Sequence, residues 1–167
     1  SRSSSSPKGY PKAQRQCSLG RGPVTNAPGP ELLVVFVDTS TWIDYFRGKE
    51  TVETLYLSDL VSEDADICVS GIVLTEILQG IPSDKEHEKV SRYLDNLIFL
   101  PMSRPSYVIS ADIYRKAKGH GHAIRSTMDY LIAACAIEHS ALLLQNDKDY
   151  LTIAKFSRLK LVELIDQ

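Results

Sequence analysis

Residues 32–43 read LLVVFVDTSTWI, and this stretch decides the fold class. Its first six residues form a continuous apolar run rich in β-branched side chains, which is typical of a strand covered on both faces. Asp38 ends the run, and positions 39–41 offer hydroxyl side chains that can cap the helix that follows. Because those residues can serve as the cap, Asp38 is not needed for capping, and we interpret it as a functional residue.

The alternation of strand and helix continues along the chain. Strands are predicted at 66–70, 98–101, 141–144 and 159–164, and helices at 42–46, 51–62, 72–78, 83–97, 105–118 and 126–137. This alternation predicts an α/β domain with a central, mainly parallel sheet. In such sheets ligands collect outside the carboxyl ends of the strands.

The charge of the chain is unevenly distributed. Residues 1–30 are rich in Ser, Pro and Gly and carry five of the 19 basic residues but no acid. We interpret them as a disordered leader or a cloning remnant, because they hold too few apolar side chains to offset ordering. Residues 31–167, which we take as the folded domain, keep 14 basic and 21 acidic residues. If such an acidic body handles nucleic acid, it must do so locally, with a cation bridging acids and phosphate. An acidic body also suits a basic protein partner.

The cysteines and the apolar segments indicate the compartment. Cys68 and Cys135 lie in apolar stretches and Cys17 in a polar one, with no spacing typical of a zinc site or a disulfide framework. No apolar run approaches the ~18 residues that a membrane helix needs, and no secretory signal is visible. We therefore expect a cytoplasmic protein.

Five carboxylates lie where a site is expected. Asp38 follows the first strand, Asp147 and Asp149 follow the strand at 141–144, and Glu76 and Asp129 lie in mostly apolar helices. Acids that face a core are costly unless they are paired or hold a cation. Their oxygen atoms suit Mg²⁺ or Mn²⁺, and two such ions ~3.5–4 Å apart can clamp a phosphodiester undergoing hydrolysis.

Each of these acids also has an ordinary structural interpretation. Glu76 could project from an exposed helix edge. Asp129 follows Ser126 by three residues, as a capping-box partner does, and Asp147 and Asp149 could be turn residues, with one of them serving only that role. The five acids together are stronger evidence for a functional site than any one of them is alone.

Other catalytic classes fit less well. No Ser/His/Asp or Cys/His set is visible, and the four histidines occupy ordinary solvated positions, with His120 and His122 in a Gly-rich turn. A haloacid-dehalogenase-like phosphatase needs a second acid two residues after Asp38, where Ser40 stands. A receiver domain needs a phosphorylatable Asp after a middle strand, but the strand at 66–70 ends in Ser70.

Four short stretches occur in an order and spacing that resemble the four motifs of PIN domains, in particular those of VapC-type toxins. They are VDTSTWI at 37–43, TEILQG at 75–80, DYLIAACA at 129–136 and NDKDY at 146–150. The resemblance covers about residues 33–164.

The resemblance implies a three-layer α/β/α fold and an acidic pocket that binds Mg²⁺, or Mn²⁺, and hydrolyses RNA, including tRNA or rRNA. It implies that Asp38, Glu76, Asp129, Asp147 and Asp149 are catalytic metal ligands, with Asp147 and Asp149 both kept as candidates for the fourth acid. It also implies that Ser40, Arg125, Ser126 and Asn146 contact substrate. Tyr150 stands where Phe is commoner in the family, which we expect to be harmless.

The resemblance further implies two protein partners, a VapB-like antitoxin and a second copy of the chain in a homodimer. Apolar residues between positions 42 and 60 have core packing as their ordinary explanation, but in such toxins they belong to the helical pair that helps form the antitoxin groove. A non-catalytic PIN-like module that binds RNA or protein is the alternative to a toxin that acts as an endoribonuclease.

Overall fold

The computed structural model describes residues 34–122 and 126–164. The predictions made for residues 1–30, Cys17 and Arg125 therefore lie outside the described residues. The strands are β1 (Val35–Val37), β2 (Ile67–Ser70), β3 (Ile98–Leu100), β4 (Leu142–Leu144) and β5 (Lys160–Leu161). The helices are α1 (Thr39–Phe46), α2 (Val52–Ser62), α3 (Gly71–Gln79), α4 (Asp84–Leu94), α5 (Arg104–Gly119), α6 (Thr127–Glu138) and α7 (Lys148–Lys155).

The five strands form one parallel sheet in the order β3-β2-β1-β4-β5. The chain runs outward from β1 through β2 and β3, and then returns to the other side of β1 to add β4 and β5. The strand order therefore reverses between β1 and β4, and ligands bind at such a switch point in open α/β sheets. The sheet with its flanking helices confirms the predicted three-layer α/β/α architecture.

The core lies on both faces of β1, β2 and β4. Every residue of β1 and β2 is buried, and for β1 the continuous apolar run predicted this burial. Helix α6 is buried along residues 132–136, where small side chains allow close approach to its neighbours. In the β1–β4 register Val37 faces Leu144, so Asp38 and the residues after Leu144 emerge at the same edge of the sheet.

Several predicted boundaries were wrong. β1 begins at Val35, β4 at Leu142, and β5 is only two residues long. α4 ends at Leu94 rather than at position 97. α7 was not predicted, because its two buried residues, Tyr150 and Ile153, supply too short a periodic stripe to distinguish a helix from a loop.

No helix within the described ranges has both the length and the apolar character that crossing a membrane requires.

Candidate active site

Asp38 is held at the end of β1 by both its backbone and its side chain. Its amide donates to the carbonyl of Leu144 at 2.9 Å, which joins β1 to β4 at the switch point. Its Oδ2 accepts from the amide and the hydroxyl of Ser40, at 3.1 and 2.5 Å. Asp38 is therefore the N-cap of α1, and the interpretation that a hydroxyl residue replaces it in capping was wrong.

Two of the hydroxyl residues that were expected to cap α1 make other hydrogen bonds. Thr39 and Ser40 lie inside the first turn of the helix, where the backbone no longer has the extended conformation of a cap. The hydroxyl of Thr39 donates to Glu76 Oε2 at 2.6 Å. Glu76 is half-buried on α3 rather than projecting from an exposed edge, so this bond joins α1 to α3 across the site.

Tyr150 occupies the other side of the Asp38 carboxylate. Its hydroxyl donates to Asp38 Oδ1 at 2.6 Å, and the tyrosine is only 1% exposed. Burial, followed by the negative charge of Asp38, raises the pKa of Tyr150 far above its ordinary value, so the hydroxyl remains a donor. Asp38 itself is 4% exposed, and both of its oxygens accept hydrogen bonds from fixed donors.

Ser40 and Asn146 lie beside Asp38 as part of a polar chain. Ser40 Oγ is 2.5 Å from Asn146 Oδ1, so its single hydroxyl hydrogen serves either Asn146 or Asp38. Asn146 Nδ2 donates to Asp44 Oδ2 at 3.3 Å, and Lys49 Nζ lies 2.9 Å from the same oxygen. Of the four residues predicted to contact substrate, Ser40 therefore also contacts Asp38, and Asn146 contacts Ser40.

Asp129, Asp147 and Asp149 converge in a second group next to this network. Each offers one carboxylate oxygen, and these oxygens lie within 4.8 Å of one another. Helix capping coexists with this arrangement: Ser126 caps α6 by accepting from the backbone amide of Asp129 at 3.3 Å, and Asp147 caps α7 by accepting from the amide of Asp149 at 2.9 Å. Both Asp147 and Asp149 belong to this group, so both remain candidates for the fourth acid.

The two groups share one electrostatic field. The pKa of Asp129 is raised to about 6, mainly by burial and further by the charges of Asp38, Asp147 and Asp149, against the lowering effect of its hydrogen bond with Ser126. Glu76 and Asp129 also help to raise the pKa of Tyr150. Among the described residues, no Lys or Arg forms an ion pair with any of these five carboxylates.

This donor set fits a hard divalent cation. Carboxylate oxygens are the ligands that Mg²⁺ and Mn²⁺ prefer, and crowded acids without a basic partner are costly unless a cation neutralises them. Asp129, Asp147 and Asp149 could hold such an ion together. Asp38 and Glu76, held by Tyr150 and Thr39, lie outside this three-residue group.

The sequence profile of the PIN domain matches residues 35–156 of the chain. The chain belongs to the PIN-domain family.

Two relatives of this PIN domain are similar over most of their length. The VapC ribonuclease Mb1587 of Mycobacterium bovis is 33% identical over 129 residues, which cover 76% of this chain and 96% of the relative. The ribonuclease VapC11 of Mycobacterium tuberculosis matches with the same identity and coverage.

Solved structures show the same fold. VapBC2 of Rickettsia felis, bound to a DNA fragment from its promoter, matches with a TM-score of 0.63 at 19% identity, covering 78% of this chain and 98% of the other. FitAcB of Neisseria gonorrhoeae matches with a TM-score of 0.62 at 22% identity, covering 78% and 97%.

The structure also places residues in this PIN-domain site that the sequence analysis did not assign to it. Thr39 contacts Glu76, Tyr150 contacts Asp38, and Asp44 contacts Asn146. Tyr150 carried a signal, since a Tyr in place of a Phe adds one hydrogen-bond donor that needs a partner when buried. Thr39 and Asp44 carried none, because their partners lie 37 and 102 residues away in the chain.

Proposed function

We propose that this PIN domain is a cytoplasmic endoribonuclease that depends on Mg²⁺ or Mn²⁺ and is the toxin of a toxin–antitoxin pair. The observation that carries the proposal is the convergence of Asp38, Glu76, Asp129, Asp147 and Asp149 at the switch point without a basic partner among the described residues. The relatives named as ribonucleases supply the substrate class.

In this proposal the residues of the site have three different roles. Asp129, Asp147 and Asp149 hold the cation, which when bound would supply charge neutralisation and Lewis acidity for phosphodiester hydrolysis. Tyr150 and Ser40 fix the orientation of the Asp38 carboxylate, and Thr39 fixes that of Glu76. Ser40, Arg125, Ser126 and Asn146 are proposed to contact the RNA backbone near the scissile phosphate.

The test is a cleavage assay on total RNA with Mg²⁺, Mn²⁺ or EDTA. We expect metal-dependent cleavage by the wild type that is lost in Asp38→Asn and Asp129→Asn. Asp59→Asn, which removes an exposed acid from α2, is the matched control and should cleave normally. Cleavage that survives both site substitutions would refute the assignment, and a folded protein that binds RNA without cleaving it would favour the non-catalytic module.

The antitoxin is proposed to bind the face formed by α1 and α2. Trp42 is fully buried and packs against Tyr45 and Phe46, whereas Val52 and Leu55 are 44% and 55% exposed on α2. Exposed apolar residues on a helical pair suit an amphipathic helix of a partner. A basic side chain of that partner, reaching the acids, would inhibit by displacing the cation.

Co-purification tests the antitoxin. Co-expressed with the small protein encoded beside it, the wild type should retain that protein, and Leu55→Asp should lose it. Val108→Asp, which places the same charge on an exposed apolar position of α5, should retain it. Equal retention by both variants would rule out the α1–α2 face. We also propose that the free protein is a homodimer, and its sedimentation tests this.

A further inference from the structure

An acidic protein that acts on RNA needs a place where the substrate is attracted. We propose that single-stranded RNA next to the scissile phosphate binds a surface formed by His120, His122 and Phe156 with the flanking cations Lys118, Lys155 and Arg158. We call this the His–Phe–His surface. The inference rests on the proposed nuclease function, because it names how the substrate of that site is held.

The aromatic part of the surface joins two distant parts of the chain. The rings of His120 and His122 lie 5.0 and 5.3 Å from that of Phe156, at interplanar angles of 35° and 48°. His120 Nδ1 is 2.8 Å from the carbonyl of Lys116, which fixes the orientation of its ring. Both histidines are exposed. Fixed, exposed rings are surfaces on which unpaired bases stack.

The charge around these rings differs from that of the rest of the domain. Residues 113–122 and 150–162 contain no acid, yet together they hold six of the 14 basic residues of 31–167. All six are exposed, and Arg115 is the one that pairs with an acid within the described ranges, at 4.0 Å. They are Arg115, Lys116, Lys118, Lys155, Arg158 and Lys160. The contacts of His120 and His122 with Phe156 bring the two basic segments together, which makes a local site for a polyanion.

The position of the surface relative to the acids suits one strand of RNA. Asp147 caps the N-terminus of α7 and Phe156 its C-terminus. The helix has eight residues, so the carboxylates and the rings are separated by about 12 Å along its axis. A strand whose phosphate lies at the acids can therefore reach the rings within a few nucleotides.

The test measures binding separately from cleavage. The full chain is titrated in EDTA against a fluorescein-labelled single-stranded RNA of about 20 nucleotides, and anisotropy is recorded at several salt concentrations. The variants are Lys155→Gln/Arg158→Gln and His120→Ala/His122→Ala. The control is Lys85→Gln/Arg104→Gln, which removes two exposed cations from the starts of α4 and α5. Circular dichroism confirms that every variant is folded.

We expect Lys155→Gln/Arg158→Gln to weaken binding and to reduce the slope of log K against log salt by about 1.4, since each lost phosphate contact on a single strand contributes about 0.7. His120→Ala/His122→Ala should weaken binding about tenfold and leave the slope unchanged, because stacking is lost rather than charge. The control should bind like the wild type.

Two results would overturn the inference. In one, both variants bind the labelled RNA as tightly as the control does. In the other, unlabelled duplex RNA displaces the labelled RNA as well as unlabelled single-stranded RNA does. Neither result touches the nuclease proposal, which is decided by cleavage in Mg²⁺ and its loss in Asp38→Asn.

Discussion

Tyr150 shows how one atom changes the interpretation of a motif. The sequence analysis expected Tyr to replace Phe without effect, yet its hydroxyl is one of the donors that hold the Asp38 carboxylate. We predict that Tyr150→Phe lowers the free energy of unfolding by about 1–3 kcal/mol, because a buried carboxylate loses a hydrogen bond. The variant should also lower kcat more than it raises KM for RNA, since Asp38 is then less firmly oriented.

Urea unfolding and steady-state cleavage measure the two effects of Tyr150→Phe. Tyr107→Phe is the matched control, because it removes the same hydroxyl from a tyrosine that is 54% exposed. Equal effects of the two substitutions would show that the hydrogen bond to Asp38 has no role.

Asp129 links function to stability through its titration. Its pKa is raised from 3.8 to about 6, so the folded state binds this proton more tightly than the unfolded state does. In EDTA, the stability that protonation of Asp129 contributes should therefore be fully present below the pKa that this carboxyl has in the unfolded state. It should be lost as the pH rises through the pKa that the carboxyl has in the folded state. We predict that Asp129→Asn is more stable than the wild type at about pH 8, by about 1 kcal/mol after discounting for solvent screening.

The gain from Asp129→Asn should largely disappear at about pH 3.5, where the wild-type carboxyl is mostly protonated in both states. Urea unfolding at the two pH values measures the difference. A variant that is less stable at both values would contradict the proposed strain among the acids.

At the scale of elements, α7 combines capping with ligand placement in a single residue. Asp147 caps the helix and also contributes to the carboxylate group. We predict that Asp147→Ser keeps the cap and the stability but weakens Mn²⁺ binding, because Ser is a good N-cap without a carboxylate. Asp147→Ala should weaken Mn²⁺ binding and also cost about 1 kcal/mol of stability. Urea unfolding and calorimetric titration with Mn²⁺ separate the roles; a loss of stability in both variants would mean that the carboxylate itself is needed as the cap.

Most elements were predictable from the sequence because each has its own local periodicity. The buried run of β1, the short strand β2 and the cap of α6 by Ser126 were confirmed. The missed features depend on distant contacts: α7 becomes recognisable when Tyr150 packs against Asp38, 112 residues away. The acids themselves were predicted individually, but their division into a cluster of three and two separately held carboxylates required the fold.

At the scale of the whole molecule, the fold places several negatively charged side chains near one point, the switch point of the sheet. Asp38 at the end of β1, Glu76 on α3 and the acids at the starts of α6 and α7 all lie near the switch point. Without a cation, mutual repulsion opposes the compact state. A cation that binds only the folded state stabilises it, by about 2.7 kcal/mol at a hundred times its Kd, so the metal should support folding as well as catalysis.

We therefore predict that Mn²⁺ at about a hundred times its Kd raises the Tm of the wild type by several degrees relative to EDTA. Asp129→Asn should show little of this shift because it lacks one of the three clustered carboxylates. Asp59→Asn, with an exposed acid of α2 removed, should shift like the wild type. Thermal unfolding at matched ionic strength measures all three proteins. An equal rise in Asp129→Asn would place the cation elsewhere on this acidic surface, whereas its selective loss would show that the acids at the switch point depend on the cation for stability.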